Sequence, residues 1–259
     1  GQPAGAVYGY TAMLWKLADG LEKADGPTHM AVILDASAST FRNQMYDQYK
    51  ANRSAPPEDL IPQFPLVREA TAAFGVHCVE LPGYEADDVI GTLACMASSQ
   101  QVEVIISSGD KDLSQLVDAH ITVIDTMNDK RRDLAGVEAE FGVPPRLMVD
   151  YQALVGDAVD NVPGVPKVGP KTAVKWLLEY GSLDALVARA GEVKGVVGEN
   201  LRQSLDWLPK GRELLTIKKD CVLEAYIDGL PAMDSIATGA PNTKALALFY
   251  EKYGLAMRF

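Results

Sequence analysis

The chain has 259 residues, of which 47% are hydrophobic, and its 35 acidic and 24 basic residues give a net charge of −11. This length can bury a sizeable core, as one large domain or as a large and a small one. The sequence excludes a transmembrane helix, because no apolar stretch approaches ~20 residues, and its acidic balance argues against a simple nucleic-acid binder.

The first part of the chain alternates predicted helices and strands. Apolar side chains at the spacing of one helix face predict a helix over residues 6–24. Short apolar runs predict strands at 29–34, 76–81, 102–106 and 120–124, and a helix is predicted at 86–99. This alternation favours an α/β fold with a mainly parallel central sheet flanked by helices.

Strand patterns become rare after residue 145. Residues 146–156, 170–180, 182–190 and 198–216 predict helices separated by Gly and Pro. We therefore expect two domains, an α/β domain at residues 1–145 and a helical module at residues 146–259.

Three cysteines, Cys78, Cys95 and Cys221, stand at scattered spacings in apolar surroundings. An odd count without paired spacing indicates reduced thiols rather than a zinc site or a disulfide framework. We therefore expect a cytoplasmic protein.

Acidic residues cluster beside the ends of the predicted strands. They are Asp35 after the first strand, Glu85, Asp87 and Asp88 after the second, Asp110 and Asp112 after the third, and Asp157 and Asp160 after the first helix of the module. Because ligands of an open parallel sheet bind outside the carboxyl ends of its strands, these segments are expected to converge. Each cluster alone could be a helix cap or a turn, but their joint occurrence in this order is far more specific.

Converging carboxylates need neutralisation. Two unit charges ~4 Å apart repel by roughly 4 kcal/mol at an effective dielectric constant of 20, and several such pairs would exceed the stability of a typical domain. Either the pKa values rise or cations bind. Oxygen ligands without nearby His or Cys favour Mg²⁺ or Mn²⁺, and two such ions can hold a phosphodiester and activate water. The clusters therefore predict a nuclease site with two or more divalent ions.

The stretch Val162–Ala173 predicts a phosphate-binding turn between two helices. Gly164 and Gly169 permit close backbone approach or positive φ, and Pro170 suits the first position of the second helix. Free amides at that helix start, with Lys167 and Lys171 nearby, would grip a phosphate backbone without sequence preference. An ordinary loop between core helices is the alternative.

A mixture of aromatic and cationic residues precedes these motifs, namely Phe41, Arg42, Tyr46, Tyr49, Lys50 and Arg53. Bases can stack on such aromatic rings while the cations meet phosphates. A solvated helix face with tyrosines packed inward explains the same pattern equally well.

The combined motifs resemble the 5′ nuclease domain of bacterial DNA polymerase I, a member of the flap endonuclease superfamily. The resemblance runs nearly end to end, and its strongest parts are Tyr49–Arg53, Glu85–Gly91, Gly109–Asp112, Gly156–Asp157 with Asp160–Asn161, and Val162–Ala173. It implies structure-specific cleavage of 5′ flaps and 5′→3′ exonuclease action on DNA or RNA primers, in replication and repair.

The resemblance also implies roles for individual residues. Asp35, Glu85, Asp87, Asp88, Asp110 and Asp112 would line the metal site, and Asp157 and Asp160 would complete its second half. Asp88 and Asp110 would be essential for cleavage. Arg42 and Lys50 would meet the scissile phosphate, and Tyr49 would stack on an unpaired base.

The turn at Val162–Ala173 matches the helix–three-turn–helix motif of that family. There, backbone carbonyls hold a monovalent cation, often K⁺, that contacts duplex phosphates. The resemblance implies DNA contacts for Arg53, Gly164, Lys167, Gly169, Lys171 and Thr172.

The resemblance raises two expectations about the ends of the chain. The family carries another metal-binding aspartate on a first, central strand, which we expect to lie before Gly1. Some members continue into polymerase domains, so a covalent link to such domains is expected, as are flap or 5′-ended duplex DNA and RNA primer–DNA hybrids as partners. Nothing in the sequence requires an assembly, and a monomer is expected.

Three alternatives remain open on the sequence. A non-catalytic structure-specific DNA-binding module, expected if the first-strand aspartate is truly absent, would keep the turn without cleaving. A ribonuclease of a related acidic class would explain the acids but not the turn. A receiver-type phosphorylation domain would need fewer acids and no helical module.

Overall fold

The computed structural model of the chain describes residues 3–21, 26–238, 243–253 and 255. Within these ranges the helices are α1 (Gly5–Leu21), α2 (Phe41–Met45), α3 (Phe64–Ala73), α4 (Ala86–Ser99), α5 (Leu134–Phe141), α6 (Met148–Val155), α7 (Pro170–Tyr180), α8 (Leu183–Ala188), α9 (Gly195–Gln203), α10 (Leu208–Leu215) and α11 (Thr243–Tyr253). The strands are β1 (Ala31–Ile33), β2 (His77–Val79), β3 (Val104–Ser107), β4 (Ile121–Asp125) and β5 (Lys130–Arg132). None of the helices in the described ranges has both the length and the apolar character needed to cross a bilayer.

The chain forms two compact units from interleaved segments. The first unit comprises Gly1–Ala36, Ser54–Leu81 and Val222–Phe259, and the second comprises Ser37–Arg53 and Pro82–Cys221. Each unit is made of segments that contact one another but are separated in sequence, whereas the predicted domains, residues 1–145 and 146–259, are each continuous in sequence.

In the first unit, α1, α3 and α11 pack together beside a parallel pair of strands. The buried side chains of this core are Val7, Leu14, Leu66, Ala70, Ala73, Phe74, Leu246, Phe249 and Tyr250. β1 pairs with β2 in parallel, with Ala31 opposite His77 and Ile33 opposite Val79. The Gln63 Oε1 atom accepts the Ala6 backbone N–H at 2.8 Å, which satisfies a free amide in the first turn of α1.

In the second unit, a three-stranded sheet packs against helices. β3 pairs in parallel with β4, and β4 pairs antiparallel with β5. α4 contacts β3, and α6 contacts both α7 and α10. One hydrophobic core runs from the sheet into the helices after residue 145, and its fully buried members include Leu113, Ile121, Met148, Leu154, Leu177 and Leu214.

The predicted α/β class with parallel strand pairs and a following set of helices is confirmed. α4 and α7 begin and end at the predicted residues. The single helix predicted at residues 198–216 is wrong, since this stretch holds the end of α9 and all of α10. The break falls before Pro209, whose ring suits a first helical turn and disrupts a helix interior. The predicted end of the first helix, at residues 22–24, lies outside the described residues.

α6, a long turn and α7 form the helix–turn–helix segment predicted from Val162–Ala173. Gly164 lies against Gly156 so closely that an added Cβ would stand 2.4 Å from the Gly156 nitrogen. The residues with positive φ in this turn are Gly156, Asn161 and Lys167, at 81°, 57° and 62°. Gly164 therefore serves close backbone approach, whereas an added Cβ at Gly169 would meet open space.

Candidate functional site

Three acidic residues are fixed by the start of α4. Glu85 is the N-cap residue, and its backbone N–H donates to the Asp88 Oδ2 atom at 3.0 Å in a capping box. Asp87 and Asp88 lie in the first helical turn, where the helix dipole favours negative charge. Asp88 is 0% exposed, whereas Glu85 and Asp87 are half-buried.

A second pair of acids follows β3 through Ser108 and Gly109. The Asp110 Oδ1 atom accepts the Asp112 backbone N–H at 2.9 Å and caps a short 3₁₀ helix over Lys111–Leu116. The local turn thus projects two carboxylates from the end of the strand, as the pattern of strand ends predicted.

The structure brings these two segments together. Burial, followed by the neighbouring charges of Asp110, Glu85 and Asp112, raises the pKa of Asp87 to about 8. Burial and the charge of Asp110 raise the pKa of Asp112 to about 6. Burial is the larger cause of both shifts, and the repulsion that adds to it indicates that these carboxylates lie close together.

The third segment is a tight turn after α6. The Asp157 Oδ1 atom accepts the backbone N–H groups of Val159 and Asp160, at 2.9 and 3.2 Å. Asp157 and Asp160 are both buried. We refer to Glu85, Asp87, Asp88, Asp110, Asp112, Asp157 and Asp160 together as the acidic cluster.

Side-chain cations contact most members of the acidic cluster. Lys50 Nζ lies 2.7 Å from Glu85 Oε1, and Arg53 Nη2 lies 2.7 Å from Asp160 Oδ1. Lys111 Nζ lies 3.2 Å from Asp112 Oδ1 and also donates to Asp157 Oδ2. These contacts offset part of the negative charge, whereas burial and the charges of Asp110, Glu85 and Asp112 still raise the pKa of Asp87 to about 8.

The donor set suits hard divalent cations. Its oxygens come from carboxylates, and a bound cation would offset both the burial of the Asp87 charge and the repulsion from its neighbours, which together raise its pKa. Among the described residues, no three His, Cys, Asp or Glu side chains already converge as a metal-binding group. The carboxylates therefore suit such an ion in charge and in ligand chemistry. In this structure their oxygens pair with Lys50, Arg53 and Lys111 and are not arranged around a single ion position.

Arg42 is placed differently from its predicted phosphate contact. The guanidinium is buried at 2% exposure and makes a two-pronged contact with Asp88, at 2.7 and 2.8 Å. Its Nε and Nη2 atoms also donate to the carbonyls of Leu214 and Thr216. Arg42 therefore holds Asp88 and the end of α10 in this structure, and its contact with a phosphate stays a prediction.

The Tyr49 side chain is also buried, at 3% exposure, so its ring is not exposed for stacking on a base in this structure. Its hydroxyl donates to Asp160 Oδ2 at 3.1 Å and to Glu85 Oε2 at 3.3 Å. Burial and these carboxylates raise the pKa of the Tyr49 phenol, so the hydroxyl remains a donor. The ring joins two segments of the acidic cluster, and stacking on a base stays a prediction.

Asp35 belongs to the first unit, two residues after the end of β1. The acidic cluster of the second unit is therefore described without it, and its role as a metal ligand stays a prediction. On the turn, Lys167 and Lys171 are exposed, whereas Gly164, Gly169 and Thr172 are half-buried. Gly169 is the N-cap residue of α7.

Two residues of the site were not predicted from the sequence. Lys111 was recognised only as part of its acidic motif, although it contacts two carboxylates. Gln152 belongs to no motif, yet its Nε2 atom donates to Asp112 Oδ1 at 2.6 Å. Alternation of Lys with two Asp could have indicated the first, whereas only the packing of α6 reveals the second.

Comparison with known proteins assigns both parts of the chain. Residues 1–142 match the family model described as 5′-3′ exonuclease, N-terminal resolvase-like domain, and residues 143–236 match the 5′-3′ exonuclease, C-terminal SAM fold. The chain is 50% identical to a DNA polymerase I of Rhizobium leguminosarum over 234 residues, which are 89% of this chain and 23% of that protein. It is 39% identical to a DNA polymerase I of Bacillus caldotenax over 252 residues, 95% of this chain and 28% of that protein. The chain thus spans about a quarter of these relatives.

Solved structures share the fold. T5 5′-exonuclease with bound divalent zinc ions matches with a TM-score of 0.72 at 19% identity, covering 96% of this chain and 90% of that one. The catalytic core of Rad2 in complex with DNA substrate matches with a TM-score of 0.57 at 14% identity, covering 95% and 78%.

Proposed function

This chain belongs to the 5′-3′ exonuclease family, and on that premise we propose that it is a divalent-metal-dependent, structure-specific 5′ nuclease. It hydrolyses phosphodiesters of DNA, or of an RNA primer, at 5′ flaps and 5′ ends in replication and repair. The observation that carries this proposal is the acidic cluster, in which burial and the charges of neighbouring carboxylates raise the pKa of Asp87 to about 8.

We propose that different carboxylates of the acidic cluster hold two separate divalent ions. Glu85, Asp87, Asp110 and Asp112 would hold one Mg²⁺ or Mn²⁺, with the charge of Asp88 behind them, and Asp157 and Asp160 would complete the site for a second. When bound, such ions activate water and neutralise charge on the phosphodiester. Nearby, Lys50 can exchange its contact with Glu85 for one with the scissile phosphate, and Arg42 acts by holding Asp88.

The turn before α7 supports duplex binding. Lys167 and Lys171 are exposed beside the start of α7, where free amides favour anions. We propose that Arg53, Gly164, Lys167, Gly169, Lys171 and Thr172 contact DNA backbone, with K⁺ as a candidate ion at the turn. We propose that residues 1–145 supply most of the metal-dependent cleavage site, and that residues 146–259 supply Asp157, Asp160 and the surface that binds the duplex. We further propose a cytoplasmic location, a monomer, and a covalent link to polymerase domains, the last because the relatives are DNA polymerases I.

A titration of Mg²⁺ against a 5′-labelled flap, with EDTA as the control, tests this function. We expect cleavage that depends on Mg²⁺ or Mn²⁺ and a lower rate on RNA hairpins. Cleavage confined to RNA would favour a ribonuclease instead.

A non-catalytic DNA-binding module is the second candidate. It is favoured by one observation, namely that Lys50, Arg53 and Lys111 already neutralise carboxylates of the acidic cluster. In the same titration, tight flap binding without cleavage at any Mg²⁺ concentration would support this candidate and refute the first.

Lys50→Ala is expected to slow single-turnover flap cleavage by ~100-fold, because it removes a charged donor aimed at the developing phosphate charge. Lys130→Ala is the control, since Lys130 is exposed and pairs with Glu140 away from the acidic cluster. A rate for Lys50→Ala close to that of the control would refute a phosphate contact.

Lys171→Glu is expected to weaken duplex binding and to lower the magnitude of its salt slope by about 1, because one phosphate contact releases about one counterion. The slope comes from binding constants measured between low and moderate salt in EDTA. An unchanged slope would remove Lys171 from the interface.

A further inference from the structure

Gln152 is a buried polar residue beside the acidic cluster that no motif accounts for. It lies in α6 and is 2% exposed. Its Nε2 atom donates to Asp112 Oδ1 at 2.6 Å, so the side chain is aimed into the cluster. Its Oε1 atom is buried and has no hydrogen-bond partner among the residues that the structure describes.

A buried acceptor without a donor costs free energy, and such atoms are rare in folded proteins. A leucine or methionine at position 152 would fill the space without that cost. A hydrogen-bond donor that reaches Gln152 Oε1 when a ligand binds would explain why a polar residue occupies this position.

The contact with Asp112 indicates what that ligand is. Asp112 Oδ1 accepts from Gln152 Nε2 and from Lys111 Nζ, at 2.6 and 3.2 Å. Two donors on the same oxygen fix the orientation of this carboxylate in the pocket it shares with Asp87. Outer partners of this kind orient metal ligands, and their removal typically weakens metal binding by 10–100-fold.

We propose that Gln152 is a positioning residue for the divalent-ion site, one that orients Asp112 and offers Oε1 to a water molecule that enters with the ion. This inference rests on the proposed metal-dependent function. It assigns the residue a role in ion affinity that is separate from the stability of the fold.

The first test measures Mn²⁺ affinity by electron paramagnetic resonance, using the full chain and the near-isosteric variant Gln152→Met. We expect ~10-fold weaker binding of Mn²⁺. In EDTA the variant should unfold at the same temperature as the unmodified chain or higher, because an unsatisfied acceptor is gone. Gln152→Leu provides a second variant with the same expected result.

Gln63→Met is the matched control. Gln63 is likewise buried, but it belongs to the first unit and caps α1. This control should unfold at a lower temperature in EDTA and bind Mn²⁺ like the unmodified chain.

A double-substitution cycle separates positioning from packing. In an Asp112→Asn background, Gln152→Met should change Mn²⁺ affinity by less than about 2-fold, since the oriented carboxylate is already lost. Unchanged Mn²⁺ affinity in both Gln152 variants, or an equal effect with and without Asp112, would overturn the role of Gln152 while leaving the nuclease function intact. Failure of the unmodified chain to bind Mn²⁺ would overturn both.

Discussion

Asp110→Asn is expected to lower Mg²⁺-dependent flap cleavage by about 10³-fold, because metal ions stabilise the transition state by several kcal/mol and each 1.36 kcal/mol is a factor of ten in rate. The substitution keeps the size of the side chain and removes one charge from the pocket shared with Asp87. Flap binding, measured by fluorescence anisotropy, should be retained or strengthened, since one repulsive charge is removed.

Asp118→Asn is the control for this prediction. Asp118 accepts the backbone N–H groups of His120 and Ile121, at 2.7 and 2.8 Å, in a turn outside the acidic cluster. An asparagine can still accept these bonds, so cleavage should change little. Strong cleavage by Asp110→Asn would dismiss the assignment of this residue to the metal site.

Arg42→Ala is expected to lower the free energy of unfolding by about 3–5 kcal/mol, because it leaves the buried Asp88 carboxylate without its cation. The loss also removes the bonds that Arg42 donates to the carbonyls of Leu214 and Thr216. Denaturant unfolding followed by circular dichroism, in EDTA, measures the change without any contribution from bound metal.

Two further variants test whether the loss of the Arg42–Asp88 ion pair causes this destabilisation. Arg42→Ala combined with Asp88→Asn should recover part of the loss, because the carboxylate charge is then absent. Arg189→Ala removes an exposed ion pair with Glu192 and should cost far less stability, because solvent screens such a pair. A loss for Arg42→Ala as small as that of Arg189→Ala would show that the Arg42–Asp88 contact is not a buried pair in solution.

The sequence predicted elements well where local patterns agree with packing. α4 and α7 have clear starts, an acidic capping box and a Gly-Pro pair, and they were predicted to the residue. β5 was missed, because Lys130–Arg132 is polar and lacks an apolar pattern. It forms a strand by pairing with β4, and its buried Arg132 is neutralised by Glu140 at 2.8 Å. Such pairing depends on tertiary contacts that no local window contains.

The same contrast between local sequence patterns and tertiary packing holds for the acidic cluster. Strand ends and helix starts predicted which segments carry the acids, since topology determines where such ends lie. The partner of each carboxylate was not predictable, because Arg42, Lys111 and Gln152 reach their partners through packing rather than spacing. For the same reason a pattern of aromatics and cations could not reveal that Tyr49 is buried between Glu85 and Asp160.

Anomalous diffraction from crystals soaked in Mn²⁺ tests most directly whether the acidic cluster is a divalent-ion site. We predict strong peaks within bonding distance of Glu85, Asp87, Asp110 and Asp112, with Lys50 and Lys111 displaced from the oxygens they now contact. Peaks that avoid these carboxylates, or none at saturating Mn²⁺, would contradict the account.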